Sequence, residues 1–94
     1  MVYFIVTTYF EGKNEGSYAE YIEKVKPIVE KHGGRYLTRS EQVTALSEKW
    51  TPQRVIVIEF DSREQLDTCF SSEEYRAISY LRENSVDARA IIVE

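Results

Sequence analysis

The sequence predicts an α+β fold in the order βαββαβ, with one antiparallel four-stranded sheet and its helices on a single face. Three observations carry that prediction. Four stretches rich in β-branched and aromatic residues alternate with two segments whose apolar residues recur at helical spacing. The helical segments open on a serine followed three residues later by Glu or Gln, the capping-box pattern. A double glycine, Gly33-Gly34, ends the first helix and leads straight into the extended run Arg35-Tyr36-Leu37-Thr38-Arg39.

In chain order, Val2 to Phe10 is the first strand, with Tyr3, Ile5 and Tyr9 on one face and Val2, Phe4, Val6 and Phe10 on the other. Gly12, Asn14 and Gly16 break it. Ser17 with Glu20 opens a helix from Tyr18, whose apolar stripe is Tyr21, Ile22, Val25, Ile28 and Val29. Pro27 removes one intrahelical bond, to the Glu23 carbonyl, and predicts a bend rather than a stop. Gly33 is the expected left-handed cap.

Arg35 to Arg39 is the second strand, with a bulge expected at Ser40-Glu41-Gln42 before Val43 to Leu46 resumes it. Trp50 to Gln53 connects to the third strand, Arg54 to Phe60, the most apolar in the chain and hence central. Ser62 with Gln65 opens a short helix carrying Leu66, Cys69 and Phe70. Ser71 with Glu74 restarts the helical region, which continues through Tyr75, Ile78 and Leu81 to about Asn84. Asp87 to Glu94 is the last strand. This order is that of the ferredoxin-like sandwich.

Both faces of strands one, three and four are apolar, yet two helices can cover only one. A bare apolar face of several hundred Å² is rare on a soluble monomer. A homodimer packed sheet face to sheet face is therefore expected, with isologous symmetry. The alternative is a monomer whose Tyr and Thr side chains wet that face.

Composition narrows the function. Ninety-four residues predict one domain over 1–94; 43% are hydrophobic and 30% charged, an ordinary globular balance. A net charge of −4 disfavours nucleic acid or an anionic membrane as partner, since both need a positive footprint. The third strand also lacks the exposed aromatics of an RNA-recognition module. The apolar N-terminal run falls well short of the roughly 20 residues that span a bilayer and lacks leading basic residues. One Cys and one His exclude an intrachain disulfide and an all-protein Cys/His zinc site, so no cofactor or metal is expected and the cytoplasm is the simplest compartment. Seven tyrosines against four phenylalanines suit walls that are half dry and half wet.

Several motifs taken together resemble a known family. Gly33-Gly34-Arg35-Tyr36-Leu37, Arg39, Trp50-x-Pro52-x-Arg54-Val55, Glu59-Phe60, Ser72-x-Glu74-Tyr75, Arg82 and the Tyr18-x-x-Tyr21 pair look like the signature of the small proteins catalogued as domain of unknown function thirteen-thirty. The chain departs from that pattern at Ser40-Glu41, where Gly-Gly is usual, at Ser47-Glu48, where Glu-Gly is usual, and at Cys69-Phe70, where Trp-Tyr is usual. The last change takes a large aromatic out of the expected pocket wall. The resemblance implies the dimeric α+β barrel superfamily, similar in fold to antibiotic-biosynthesis monooxygenases. It implies no established activity.

Seven residues have a chemical reading. His32 is the one side chain whose ordinary pKa lies near neutrality and is the candidate catalytic acid or base; its structural alternative is a cation favoured by the helix dipole. Arg39 and Glu59 are expected to pair across strands, either neutralising a partly buried charge or clamping a carboxylate or enolate ligand. Arg35 and Arg39 share strand parity and are expected on one face, suiting an anionic ligand. Trp50 would be a pocket lid or a dimer contact. Tyr75 and Arg82 would line the cleft between helices and sheet, or serve as core packing and surface charge. Cys69 reads as an inert core thiol.

Three functional classes follow. The first is a metal-free small-molecule enzyme, oxygenase- or isomerase-like, with a pocket between sheet and helices in each subunit. The second is a non-catalytic or regulatory dimer holding a small anionic or aromatic ligand. The third is a dimer whose Tyr-rich faces serve association alone.

Overall fold

The computed structural model describes residues 1–9, 15–83 and 87–94, with the side chains of 15–17 and 83 left aside. Its elements are β1 (Val2–Tyr9), α1 (Glu15–Lys31), β2 (Arg35–Ser40), β3 (Arg54–Phe60), α2 (Arg63–Phe70), α3 (Glu73–Arg76), α4 (Ser79–Glu83) and β4 (Asp87–Val93). The four strands form one sheet in the order β2-β3-β1-β4, with every neighbouring pair antiparallel. This is the α+β sandwich that the element order predicts. Phe10, Gly12, Asn14 and Asn84 lie outside the described residues.

One face of the sheet carries the core. Period-two alternation directs Val2, Val6, Ile56, Ile58 and Phe60 toward the helices, and all five are buried. From α1, Tyr18, Tyr21, Ile22, Val25 and Val29 recur at helical spacing and meet them, with Leu66, Cys69, Tyr75 and Leu81 completing the layer. Val29 and Phe60 are fully buried at its centre.

The end of α1 shows why two glycines stand together. Gly33 has φ +85, a left-handed conformation that costs a side-chain-bearing residue. It donates to Glu30 O at 3.1 Å, and Gly34 donates to Val29 O at 2.9 Å, the paired bonds of a Schellman motif. Gly34 is needed for a different reason. A Cβ there would lie 2.5 Å from Val29 Cγ1 and 2.9 Å from the Phe60 ring. β2 therefore begins pressed against the core.

Several local expectations shift. The first helix starts at Glu15, so Gly16 and Ser17 lie inside it and Ser17 is not its cap. It continues through Pro27 to Lys31. Ser62 does cap α2, accepting from Gln65 N at 3.2 Å. The next cap is Ser72, not Ser71: its Oγ accepts from Tyr75 N at 3.2 Å, while Ser71 closes α2 by donating to Asp67 O at 2.7 Å. A helix that ends and restarts within two residues needs both serines, and the patterns Ser71/Glu74 and Ser72/Tyr75 differ by one step. Residues 43–46 do not resume β2; 41–53 is one long connection.

The bulge also lies earlier than expected. Tyr36 pairs with Ile58 and Thr38 with Val57, so Leu37 is the extra residue. An odd insertion reverses side-chain parity beyond it. Arg35, across from Glu59, therefore faces away from the helices, whereas Arg39, across from Ile56, lies on the helix side. The expected Arg39–Glu59 pair does not form, and the two arginines do not share a face.

Candidate functional site

The layer between sheet and helices contains a chain of polar groups set in an apolar surround. α1 places Tyr18 and Tyr21 on its buried stripe, one turn apart, with ring centroids 5.8 Å apart. A buried phenol needs a partner for its hydroxyl. The Tyr18 hydroxyl finds Thr8 Oγ1 at 3.0 Å, and the Arg54 guanidinium lies 5.4 Å from the Tyr18 ring centroid. The Tyr21 hydroxyl finds that of Tyr75 at 3.0 Å, brought over by α3. The Tyr21 and Tyr75 rings meet edge to face, as do those of Phe70 and Tyr75.

Tyr18, Tyr21 and Phe70, with Tyr36 and Arg82, are among the residues lining a small internal hollow of about 30 Å³; Thr8, Arg54 and Tyr75 stand behind this lining. It has room for about one or two water molecules. Burial drives the Tyr21 hydroxyl well above its ordinary pKa, reinforced by Tyr75 and opposed by Arg82. Tyr36 is pushed up to about 12, again chiefly by burial. At neutral pH both phenols stay protonated and can donate, beside the Arg82 guanidinium. Such a set favours an oxygen acceptor that gains negative charge.

A second, larger hollow lies on the opposite face of the sheet. It measures about 690 Å³ and runs between Ile5, Val55 and Ile91 of the sheet and Val43, Leu46 and Trp50 of the 41–53 connection. That face is apolar across its middle: Tyr3, Ile5, Val55 and Val57 are half-buried, and Ile91 and Val93 are exposed. Charges lie at its margins. Arg35 donates to Glu59 Oε1 at 2.9 and 3.0 Å and to Asp61 Oδ1 at 2.9 Å, and Arg89 Nη2 lies 3.6 Å from Asp87 Oδ2.

The predicted site residues fall in five places. Tyr75 and Arg82 belong to the helix–sheet layer. Glu59 lies on the opposite face with Arg35. Arg39 lies on the helix side of β2, its guanidinium 5.9 Å from the Tyr36 ring centroid. Trp50 lines the sheet-face hollow. His32 donates from Nδ1 to Ile28 O at 2.9 Å and borders an open groove with Asp61, Ser62, Glu64, Gln65 and Thr68, none of which lines the internal hollow. Sequence reasoning about chemistry passed over Tyr18, Tyr21, Thr8 and Arg54. The available signal was two phenols on the buried stripe of α1, each obliged to find a partner. Among the described residues, no three His, Cys, Asp or Glu side chains are placed to hold a metal ion, and no helix is long and apolar enough to cross a membrane.

A family model described as "Domain of unknown function (DUF1330)" matches residues 1–94. The chain belongs to this family. No curated protein matches it in sequence. Among solved structures, a protein of unknown function from Rhodopseudomonas palustris superposes with a TM-score of 0.84 at 17% identity, covering 98% of this DUF1330 chain and 79% of the other. An antibiotic biosynthesis monooxygenase gives a TM-score of 0.59 at 16% identity, over 100% and 97% of the two chains. An ethyl tert-butyl ether D family protein from Bacillus halodurans gives 0.68 at 16% identity, over 100% and 98%. At these identities the likeness is one of fold: this DUF1330 chain shares its ferredoxin-like architecture with monooxygenases of that kind.

Proposed function

We propose that this DUF1330 protein binds a small, largely apolar molecule with one carbonyl- or phenol-type oxygen, in the layer between sheet and helices. It acts there as a metal-free enzyme on an enolate- or phenolate-like species. The observation that supports this reading most is Tyr21, which lines an internal hollow together with Arg82 and whose hydroxyl is hydrogen-bonded to that of Tyr75 behind it. One phenol of the pair donates to the other, which leaves one hydroxyl hydrogen; that donor and a guanidinium in an apolar layer suit an oxygen on which charge develops. The resting hollow is small, and the five-residue α4 contributes Arg82 to its lining. Fold analogy alone points to oxygenation or isomerisation.

The second reading is a binder without turnover. It is supported by the described lining of the hollow, which carries phenols and a guanidinium but no carboxylate or imidazole to take up a proton near neutrality.

Native mass spectrometry of freshly purified protein tests the site, by identifying a retained small molecule and titrating it back. Tyr75→Phe and Arg82→Gln are each expected to weaken its binding about tenfold. Unchanged affinity in both variants sinks the assignment. Turnover of that molecule selects the enzyme reading, and its return unaltered selects the binder.

The same reading includes a homodimer joined through the bare sheet face. The apolar middle of that face supports it, because soluble monomers rarely leave such a surface in water. Light scattering at micromolar concentration is expected to give twice the 11.0 kDa chain mass. A species of single-chain mass at every concentration rejects the dimer.

A further inference from the structure

The 41–53 connection is unusual for a compact domain of this size, in which most connections between elements run to only a few residues. Both of its ends are tied down. Glu41 forms an ion pair with Arg54, Gln42 N donates to Ser40 Oγ at 2.9 Å, and Gln53 N donates to Thr8 O at 2.9 Å with Pro52 buried beside it. Between these ties the chain arches over its own sheet. Val43 is half-buried, but two large apolar side chains are not used to pack the arch down: Leu46 is 98% exposed and Trp50 57% exposed, and 43–47 contains no charged residue.

We infer that this segment is a dimerisation arm, whose Leu46 and Trp50 are buried by a second copy of the chain. The inference rests on the face-to-face dimer proposed above and adds to it which segment makes the contact. Four features favour an identical copy as the occupant. The arm and the bare face line one continuous apolar hollow, so whatever covers the face meets the arm as well. The hollow of about 690 Å³ is large enough to take the tip of the same arm from a partner, and two-fold symmetry makes the insertion reciprocal.

The charges at the margins of the face are already matched within the chain, Arg35 with Glu59 and Asp61, and Arg89 with Asp87. A like surface can therefore dock without stranding a charge. Size agrees as well. The molecule is a slab 35 by 27 by 16 Å, so its broad side offers on the order of 900 Å², against the roughly 800 Å² per partner of a stable interface. Because the base of the arm is fixed, little order is lost when the tip is buried.

The chain has a single tryptophan, Trp50, which makes the arm directly observable. The experiment is a dilution series of the full chain and of Leu46→Asp, followed by light scattering and by Trp50 emission and acrylamide quenching. Leu46 touches no core residue and the variant is expected to retain the native circular dichroism. In wild type, Trp50 emission should shift to the red and become more quenchable as the dimer dissociates. Leu46→Asp should raise the dimer dissociation constant at least about tenfold. A wild-type dimer with Trp50 equally quenchable in dimer and monomer, or with an unchanged dissociation constant in Leu46→Asp, overturns the arm and leaves the dimer standing. A wild type that is monomeric throughout overturns both.

Discussion

The hydroxyls of Tyr21 and Tyr75 lie 3.0 Å apart, on helices separated by half the chain, and both residues are buried. Each hydroxyl is the other's partner within an apolar layer, so neither can be removed without stranding its mate. Such a pair is a poor device for stability alone, since two phenylalanines would fill the same volume. It becomes useful where a donor must be held ready for a guest.

Tyr75→Phe should therefore cost about 1–2 kcal/mol, because the Tyr21 hydroxyl is left buried without its partner. For a domain of this length that lowers the melting temperature by roughly 4–8 °C per kcal/mol. The double variant Tyr21→Phe/Tyr75→Phe should cost less than the sum of the single changes. Thermal unfolding of all three measures the coupling, and strict additivity would show that the hydroxyls do not depend on each other.

The two glycines at the end of α1 should fail in different ways. Gly34→Ala forces a methyl group to within 2.9 Å of the Phe60 ring and closer still to Val29, two fully buried side chains. Overpacking of this kind costs about 1–3 kcal/mol. Gly33→Ala meets only the flexible end of Gln65 but places a side chain at φ +85, a penalty of about 1 kcal/mol. Urea unfolding should rank Gly34→Ala as the more damaging change.

Alkaline pH should destabilise the fold. Cys69 is pushed from 9.0 to about 11 and Tyr36 from 10.0 to about 12, both chiefly by burial. Between those limits the unfolded chain releases protons that the native state retains. Stability is then present in full below pH 9 and falls as the pH rises through 9 to 12. The urea midpoint should decline across that window, and a flat profile between pH 9 and 11 would contradict the burial of these groups.

Cys69 is completely buried, and its protonated thiol is a poor nucleophile. At pH 8 a thiol reagent should modify it only as fast as the protein opens, with full and rapid reaction in urea. Fast modification of the native protein would place Cys69 near the surface instead.

The bulge at Leu37 can be tested through charge coupling. A double-mutant cycle between Arg35 and Glu59 should give a measurable interaction, and one between Arg39 and Glu59 should give none. Coupling of Arg39 to Glu59 would mean that the strand runs in the unbulged register.

Element type and order were legible in the residues: alternation marked β1, β3 and β4, the apolar stripe marked α1, and the glycine pair marked its end. These are local signals, set by side-chain spacing and backbone sterics. Helical spacing left Tyr75 and Arg82 open between a place in the helix–sheet cleft and core packing with a surface charge. What escaped were contacts that depend on a count of one. A single extra residue, Leu37, turned Arg39 to the other face and gave Glu59 to Arg35; a single step moved the third cap from Ser71 to Ser72. No local pattern encodes such a slip, because each register is locally acceptable and only the partner strand or the buried layer chooses between them. The meeting of Tyr21 with Tyr75, and the separation of His32 from both, were decided in the same way, by how distant segments pack.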